Sequence, residues 1–173
     1  MRKDHGFSLI ELLIVVAMII IIVSMAIPNL LRARMSANEA SAVGSVRAIN
    51  TAQLMYEYSY PHLGYASSLA KLGSNGDTCK VPTPDAACLV ENTLASATTP
   101  AQAKSGYYFS ILPGDSDSGR VLQYTVSGCA SVFNQTGIRD LCSTEDTIVH
   151  FRIPSEQSTP GIDRAQCKSL PTL

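Results

Sequence analysis

The sequence shows almost no electrostatic bias. Its 13 basic and 14 acidic residues leave a formal charge of −1, which excludes the broad basic footprint of a nucleic-acid binder. No run of like charge suggests a disordered tail. No two of the five cysteines stand in CxxC spacing, so neither a zinc knuckle nor a thioredoxin-type motif is supported. The three histidines, His5, His62 and His150, are scattered, and no Ser-His-Asp or Cys-His constellation or other enzyme motif can be assembled from them. Charge is missing altogether from residues 12–31. At 173 residues the chain has room for one domain plus an appendage, not two full domains.

What fills the uncharged stretch is apolar. Residues 6–31 read GFSLIELLIVVAMIIIIVSMAIPNLL, with Glu11 the single charge. Residues 12–31 as a helix measure about 30 Å, one bilayer core. Arg2 and Lys3 ahead of the run favour a cytoplasmic N-terminus, although Arg32 and Arg34 follow it and weaken the bias. A cleaved secretory signal is one reading, with Ser24-Met25-Ala26 as the small-residue cleavage site. A signal anchor holding a periplasmic binding module is another. Neither gives Glu11 a role, since an ionised carboxylate in apolar surroundings is costly unless paired.

A third reading does. A short basic leader, Gly6, Phe7, Glu11 four residues further on and an apolar helix behind them ("GFSLIELLIVV") resemble the start of the type IV pilins and of the pseudopilins of type II secretion. Pro28, the twenty-second residue counted from Phe7, also matches a proline common in that family. The resemblance implies that residues 1–6 are a leader removed between Gly6 and Phe7 by a prepilin peptidase, which then N-methylates Phe7. It implies that Glu11 meets the Phe7 amine of a neighbouring copy, and that the helix near Ser24 to Pro28 can lose order as subunits pack. Further partners follow from it: copies of the same chain in a homopolymer, an inner-membrane assembly platform with a cytoplasmic ATPase, and an outer-membrane secretin. The chain would sit in the bacterial inner membrane before assembly, and in an extracellular pilus or periplasmic pseudopilus afterwards. No cofactor is implied.

The fold class expected is α+β, a pilin fold: a long N-terminal helix packed on a small antiparallel sheet. Residues 7–31 form the membrane or filament-core part of the helix and residues 32–60 its amphipathic part. Met35, Val43, Val46, Ile49 and Leu54 recur at mostly three- or four-residue steps, and Ser59, Tyr60 and Pro61 mark the end. From Phe7 to Tyr58 such a helix is about 78 Å long. The head, 61–173, begins with a connection over 61–105 that holds one helical turn near Ser67 to Leu72. A sheet of three or four strands follows over 106–153. Strands are read at 106–112, 120–127 and 147–153, the first two joined as a hairpin through the turn 113–119. In the third, Val149, Phe151 and Ile153 face opposite to Ile148, His150 and Arg152. Residues 154–173, with three prolines, read as a loop tied down through Cys167.

In an exported chain the cysteines read as disulfides. Cys79 with Cys88, and Cys129 with Cys142, would close short local loops, but one thiol must be left over and fifteen arrangements are open. Asp115 and Asp117, in a Gly-flanked turn, are the calcium candidates; they lack the further acidic pair that an EF-hand loop needs, and a solvated turn is the preferred reading. Asn134-Gln135-Thr136 fits the N-glycosylation pattern without the upstream acidic residue that bacterial systems want. A pilus subunit is the leading function, with the pseudopilin and the anchored binding module as alternatives.

Overall fold

The computed structural model describes residues 8–74, 79 and 81–173. In chain order the elements are helix α1 (Leu9–Ser59), short helices α2 (Leu69–Leu72) and α3 (Asn92–Ala95), a 3-10 turn at Pro100–Gln102, and strands β1 (Tyr107–Pro113), β2 (Ser116–Asp117), β3 (Arg120–Val121), β4 (Tyr124–Ala130), β5 (Asp140–Thr144) and β6 (Val149–Arg152). Helix α4 (Arg164–Ser169) comes last. The chain divides into two compact units, one ending at Arg34 and the other spanning Met35–Leu173.

In the first unit every described side chain, from Ser8 to Arg34, is exposed. Pro28 lies inside α1. Its missing N–H removes the donor that Ser24 O would otherwise have. Side chains bond to carbonyls on either side: Ser24 Oγ donates to Ile21 O at 2.8 Å and Asn29 Nδ2 to Met25 O at 3.2 Å.

In the second unit α1 buries one stripe. Ala42, Ser45, Val46, Ile49, Asn50, Ala52, Gln53 and Tyr56 are buried, at the three- and four-residue steps of a helix face. This corrects the expected stripe. Val46 and Ile49 belong to it, Val43 packs at its margin and Met35 is half-buried, but Leu54 points outward. Small and amide-bearing residues do the rest. Asn50 Nδ2 donates to Ser143 Oγ at 2.8 Å, and Asn50 Oδ1 accepts from the Tyr124 hydroxyl at 3.2 Å. Buried polar groups with partners on the sheet cost little. The helix stops where Tyr60 makes the last i→i−4 bond, to Tyr56 O at 2.8 Å; Pro61 cannot continue it and pushes Tyr60 away from helical backbone.

The main sheet is antiparallel, in the order β1-β4-β5-β6. The hairpin of β1 and β4 is present, with β2 and β3 forming a two-stranded ribbon within its connection. The expected strand over 120–127 is therefore two pieces, β3 in the ribbon and β4 in the sheet. Two elements lie outside the sequence expectation: strand β5, and helix α4 within residues 154–173, which the sequence reads as a loop. The register sorts the sheet into two faces. One carries Tyr107, Phe109, Ile111, Tyr124, Val126, Leu141 and Val149, which share the main core with α1, α2 and α3. Phe109 lies opposite Gly128, and a Cβ there would sit 2.7 Å from the ring. The other face carries Ser127, Cys129, Asp140, Cys142, Thr144 and His150, all buried. Residues from 154–173 bond to this face and to the edge of β6. The Tyr108 hydroxyl donates to Ser158 O at 3.1 Å, Ser158 Oγ to Asp140 Oδ1 at 2.7 Å, and Phe151 N to Pro171 O at 3.0 Å.

Candidate functional site

The first site feature is the surface of α1 up to Leu31. Seventeen large apolar side chains between Leu9 and Leu31 are exposed. At about 1 kcal/mol each for the area still in water, covering them is worth on the order of 20 kcal/mol, more than the whole net stability of a typical domain. Ile19 to Val23 are all β-branched, a run that disfavours helix in water but not in lipid or in a bundle, where backbone groups must bond internally. Among the described residues α1 is the one helix long and apolar enough to cross a membrane, and that apolar part is not buried. The apolar side chains surround the helix rather than forming one stripe, so its cover must come from all sides.

Glu11 lies in the first turn of α1, exposed, where the free N–H groups of a helix start favour a negative charge. Its carboxylate has no hydrogen bond or ion pair among the described residues. Gly6 and Phe7, the expected cleavage and methylation positions, lie outside the described residues, as does His5.

In the head, Cys79 is bonded to Cys88 and Cys142 to Cys167, with Cα–Cα separations of 6.0 and 5.9 Å, while Cys129 is free and buried. The expected Cys129–Cys142 pair is not formed, and the register explains why. Cys142 stands opposite Ser127, which makes Cys129 its diagonal neighbour, about 7–8 Å away in such a sheet and beyond disulfide reach. Cys167, on α4, approaches the face directly. Burial pushes the Cys129 thiol up to about 12, with the Asp140 charge acting in the same direction, so it is an inert thiol rather than a nucleophile.

The remaining candidates do not come together as a site. Asp115 and Asp117 are exposed on the ribbon. Asp115 O accepts from Leu122 N at 2.9 Å, and Asp117 stands opposite Arg120. Among the described residues no group of three or more His, Cys, Asp or Glu could hold a metal ion. His62 is exposed. His150 is buried, its Nδ1 lying 2.8 Å from Leu170 O; since a carbonyl only accepts, Nδ1 carries the proton. Asn134 sits on an exposed turn, where the Thr136 hydroxyl is engaged with Val132 N and O, both at 3.1 Å. Gln53 and Asn50 escaped the sequence reading, because an amide in an amphipathic helix is ordinarily a solvent-facing residue.

Residues 1–27 match the family model of the prokaryotic N-terminal methylation motif. The chain is 42% identical over 76 residues to the type IV wide pilus major component PilA4 of Thermus thermophilus, a match covering 44% of this chain and 56% of that protein. It is 39% identical over 57 residues to the type II secretion system core protein G of Vibrio cholerae, covering 33% of this chain and 39% of that protein. The chain thus spans about half the length of the relatives it matches. No solved structure matches it. The chain carries the prokaryotic N-terminal methylation motif and is homologous to a type IV pilin and to a type II secretion core protein.

Proposed function

We propose that this chain is a structural subunit of a type IV pilus, made as a precursor and polymerised through α1. Residues 1–6 are the leader. A prepilin peptidase cuts between Gly6 and Phe7, where a residue without a side chain admits the backbone to a narrow cleft, and the new Phe7 amine is methylated. Before assembly the chain is anchored in the inner membrane by the apolar part of α1, N-terminus in the cytoplasm; afterwards that surface is covered by copies of itself. The carrying observation is the combination at the chain start: the methylation motif, an apolar helix exposed on all sides, and Glu11 as its one charge. Cleavage creates an ammonium four residues from Glu11. Amine and carboxylate attract strongly in a low-dielectric setting, so Glu11, costly alone, is favourable beside the Phe7 amine of a neighbour. A contact of this head-to-tail kind does not close on itself and propagates as a helical filament. An inner-membrane platform, its ATPase and a secretin complete the machinery in this reading, and the role of the chain is structural rather than catalytic.

The similarity to a secretion core protein favours a second reading, a pseudopilus subunit confined to the periplasm. Intact mass and N-terminal sequence of protein sheared from the cell surface test both. A chain starting at N-methyl-Phe7 in sheared filaments supports the pilus. The same processed chain found only in the periplasmic and membrane fractions supports the pseudopilus. A chain starting at Met1 in the membrane overturns both and leaves an anchored module. Glu11→Ala is expected to leave cleavage intact and abolish filaments; filaments at wild-type yield would remove the assembly role of Glu11.

A further inference from the structure

Residues 154–173 stand apart from the rest of the head in how they are held. The main core joins α1, α2, α3 and the apolar face of the sheet, and no residue beyond Phe151 contributes to it. The segment has its own small cluster, in which Ile162 and Cys167 are buried against Cys142 and Leu170 packs at the edge. The surface beneath it is polar, so little hydrophobic area resists its departure. Two buried atoms on that surface, Thr144 Oγ1 and His150 Nε2, have no hydrogen-bond partner among the described residues; each gains a water when the segment leaves. The ion pairs from Glu145 to Arg164 and Lys168 involve partners more than a third exposed and hold weakly. At its far end the segment pairs with the edge of β6, Leu173 N donating to Val149 O at 3.0 Å. One covalent bond, Cys142–Cys167, spans a sequence separation of 25 residues and fixes the whole.

We propose that residues 154–173 form a redox-latched strap: reduction of Cys142–Cys167 releases the segment as a unit, bares the edge of β6 and the polar sheet face with Cys129, and leaves the core of α1 and the sheet folded. The reductant is a dithiol. It supplies two electrons and two protons, the Cys142–Cys167 bond breaks, both sulfurs become thiols and the dithiol closes to its own disulfide. The released edge is a row of open backbone donors and acceptors, the kind of surface that pairs with other chains, so the oxidised latch is what keeps the head closed. The inference rests on the geometry of the head and is independent of the pilus reading.

The test uses the full chain in detergent micelles in three forms: oxidised, reduced with dithiothreitol, and Cys142→Ser/Cys167→Ser, which keeps Cys79–Cys88. Iodoacetamide labelling of Cys129 and amide hydrogen exchange are followed. With β6 still paired to β5, the crosslink closes only the free chain over residues 153–167, about 15 residues, whose loop-closure entropy corresponds to about a 150-fold change in the opening equilibrium. Labelling of Cys129 and exchange at Phe151 are therefore expected to rise by about two orders of magnitude in both unlatched forms, while exchange in α1 between Ala42 and Tyr56 changes by less than about threefold. Cys129 still unlabelled and Phe151 still protected would mean that the strap stays without its latch. Exchange rising equally in α1 and β6 would mean that the head unfolds as one unit. Either result overturns the proposal.

Discussion

Gln53 offers the sharpest test of how α1 is joined to the head. It is fully buried, its Nε2 donating to Ala66 O at 3.0 Å and its Oε1 accepting from Ala66 N at 2.8 Å. One side chain thus satisfies both backbone groups of a residue that is itself fully buried, as a neighbouring strand would. Gln53→Met keeps the length and roughly the volume but can make neither bond. Two buried backbone groups are then unpaired at about 1–3 kcal/mol each, against a gain of about 1 kcal/mol for the more apolar side chain. The net loss is about 1–5 kcal/mol. For a unit the size of Met35–Leu173, 1 kcal/mol moves the melting temperature by about 3–5 °C, so a fall of about 10 °C is expected. Near-UV circular dichroism of the detergent-solubilised chain reads it through the tyrosines, since the Tyr65 and Tyr124 rings pack edge to face with centroids 4.8 Å apart. Gln135→Met, on an exposed turn, is the control and should change stability by under about 0.5 kcal/mol. A fall below about 3 °C for Gln53→Met would show that water or a shifted backbone satisfies Ala66 and that the amide is not what fixes the connection.

Two further predictions concern the head. Burial alone would raise the Glu145 carboxyl, but hydrogen bonds from Arg164, from its own backbone and from Lys168 outweigh it and hold the group at about 2. A folded-state value below the ordinary 4.5 means stability that is present above about pH 4.5 and lost as pH falls toward 2. With both basic partners more than a third exposed, screening leaves about 1 kcal/mol; urea midpoints should separate wild type from Glu145→Gln at pH 6 and converge near pH 2, and a gap unchanged at low pH would refute the ion-pair account. The glycines give a pair of opposite sign. A Cβ on Gly137 would lie 2.6 Å from the Tyr107 ring, which is fully buried with its hydroxyl on Arg139 O at 2.9 Å, whereas one on Gly44 in α1 meets nothing within 4 Å. Thermal melts should show Gly137→Ala destabilised by about 1–3 kcal/mol and Gly44→Ala stabilised by about 0.5–1 kcal/mol; the same sign for both would contradict the packing described.

The helix, its end at Pro61, the β1–β4 hairpin and the division of β6 into an apolar and a polar side could be read before the structure, because each rests on a period or a turn signal within a few residues. Strand β5, DLCST, could not. Its alternation is Leu141 and Ser143 against Asp140, Cys142 and Thr144, and it is a strand because β4 and β6 pair with it on both sides. The cysteine pairing failed for a related reason. Cys129 and Cys142 look like neighbours along the chain, but a two-residue offset in register separates them. Only the position of α4, which depends on the return of residues 154–173 over the sheet, brings Cys167 to Cys142. Local sequence carries local structure; it does not carry the register between strands or the place where a late segment docks.

The two units also differ in what covers their surfaces. The apolar part of α1 is exposed on all sides, and in the proposed filament a charge there is favourable only where a partner can reach it. The head presents one apolar sheet face to α1. Its second face is polar. Ser127, Asp140, Thr144 and His150 are buried there because a disulfide-bonded segment lies over them, not because their chemistry demands burial. Whether this face stays closed is therefore governed by the segment that covers it, through Cys142–Cys167.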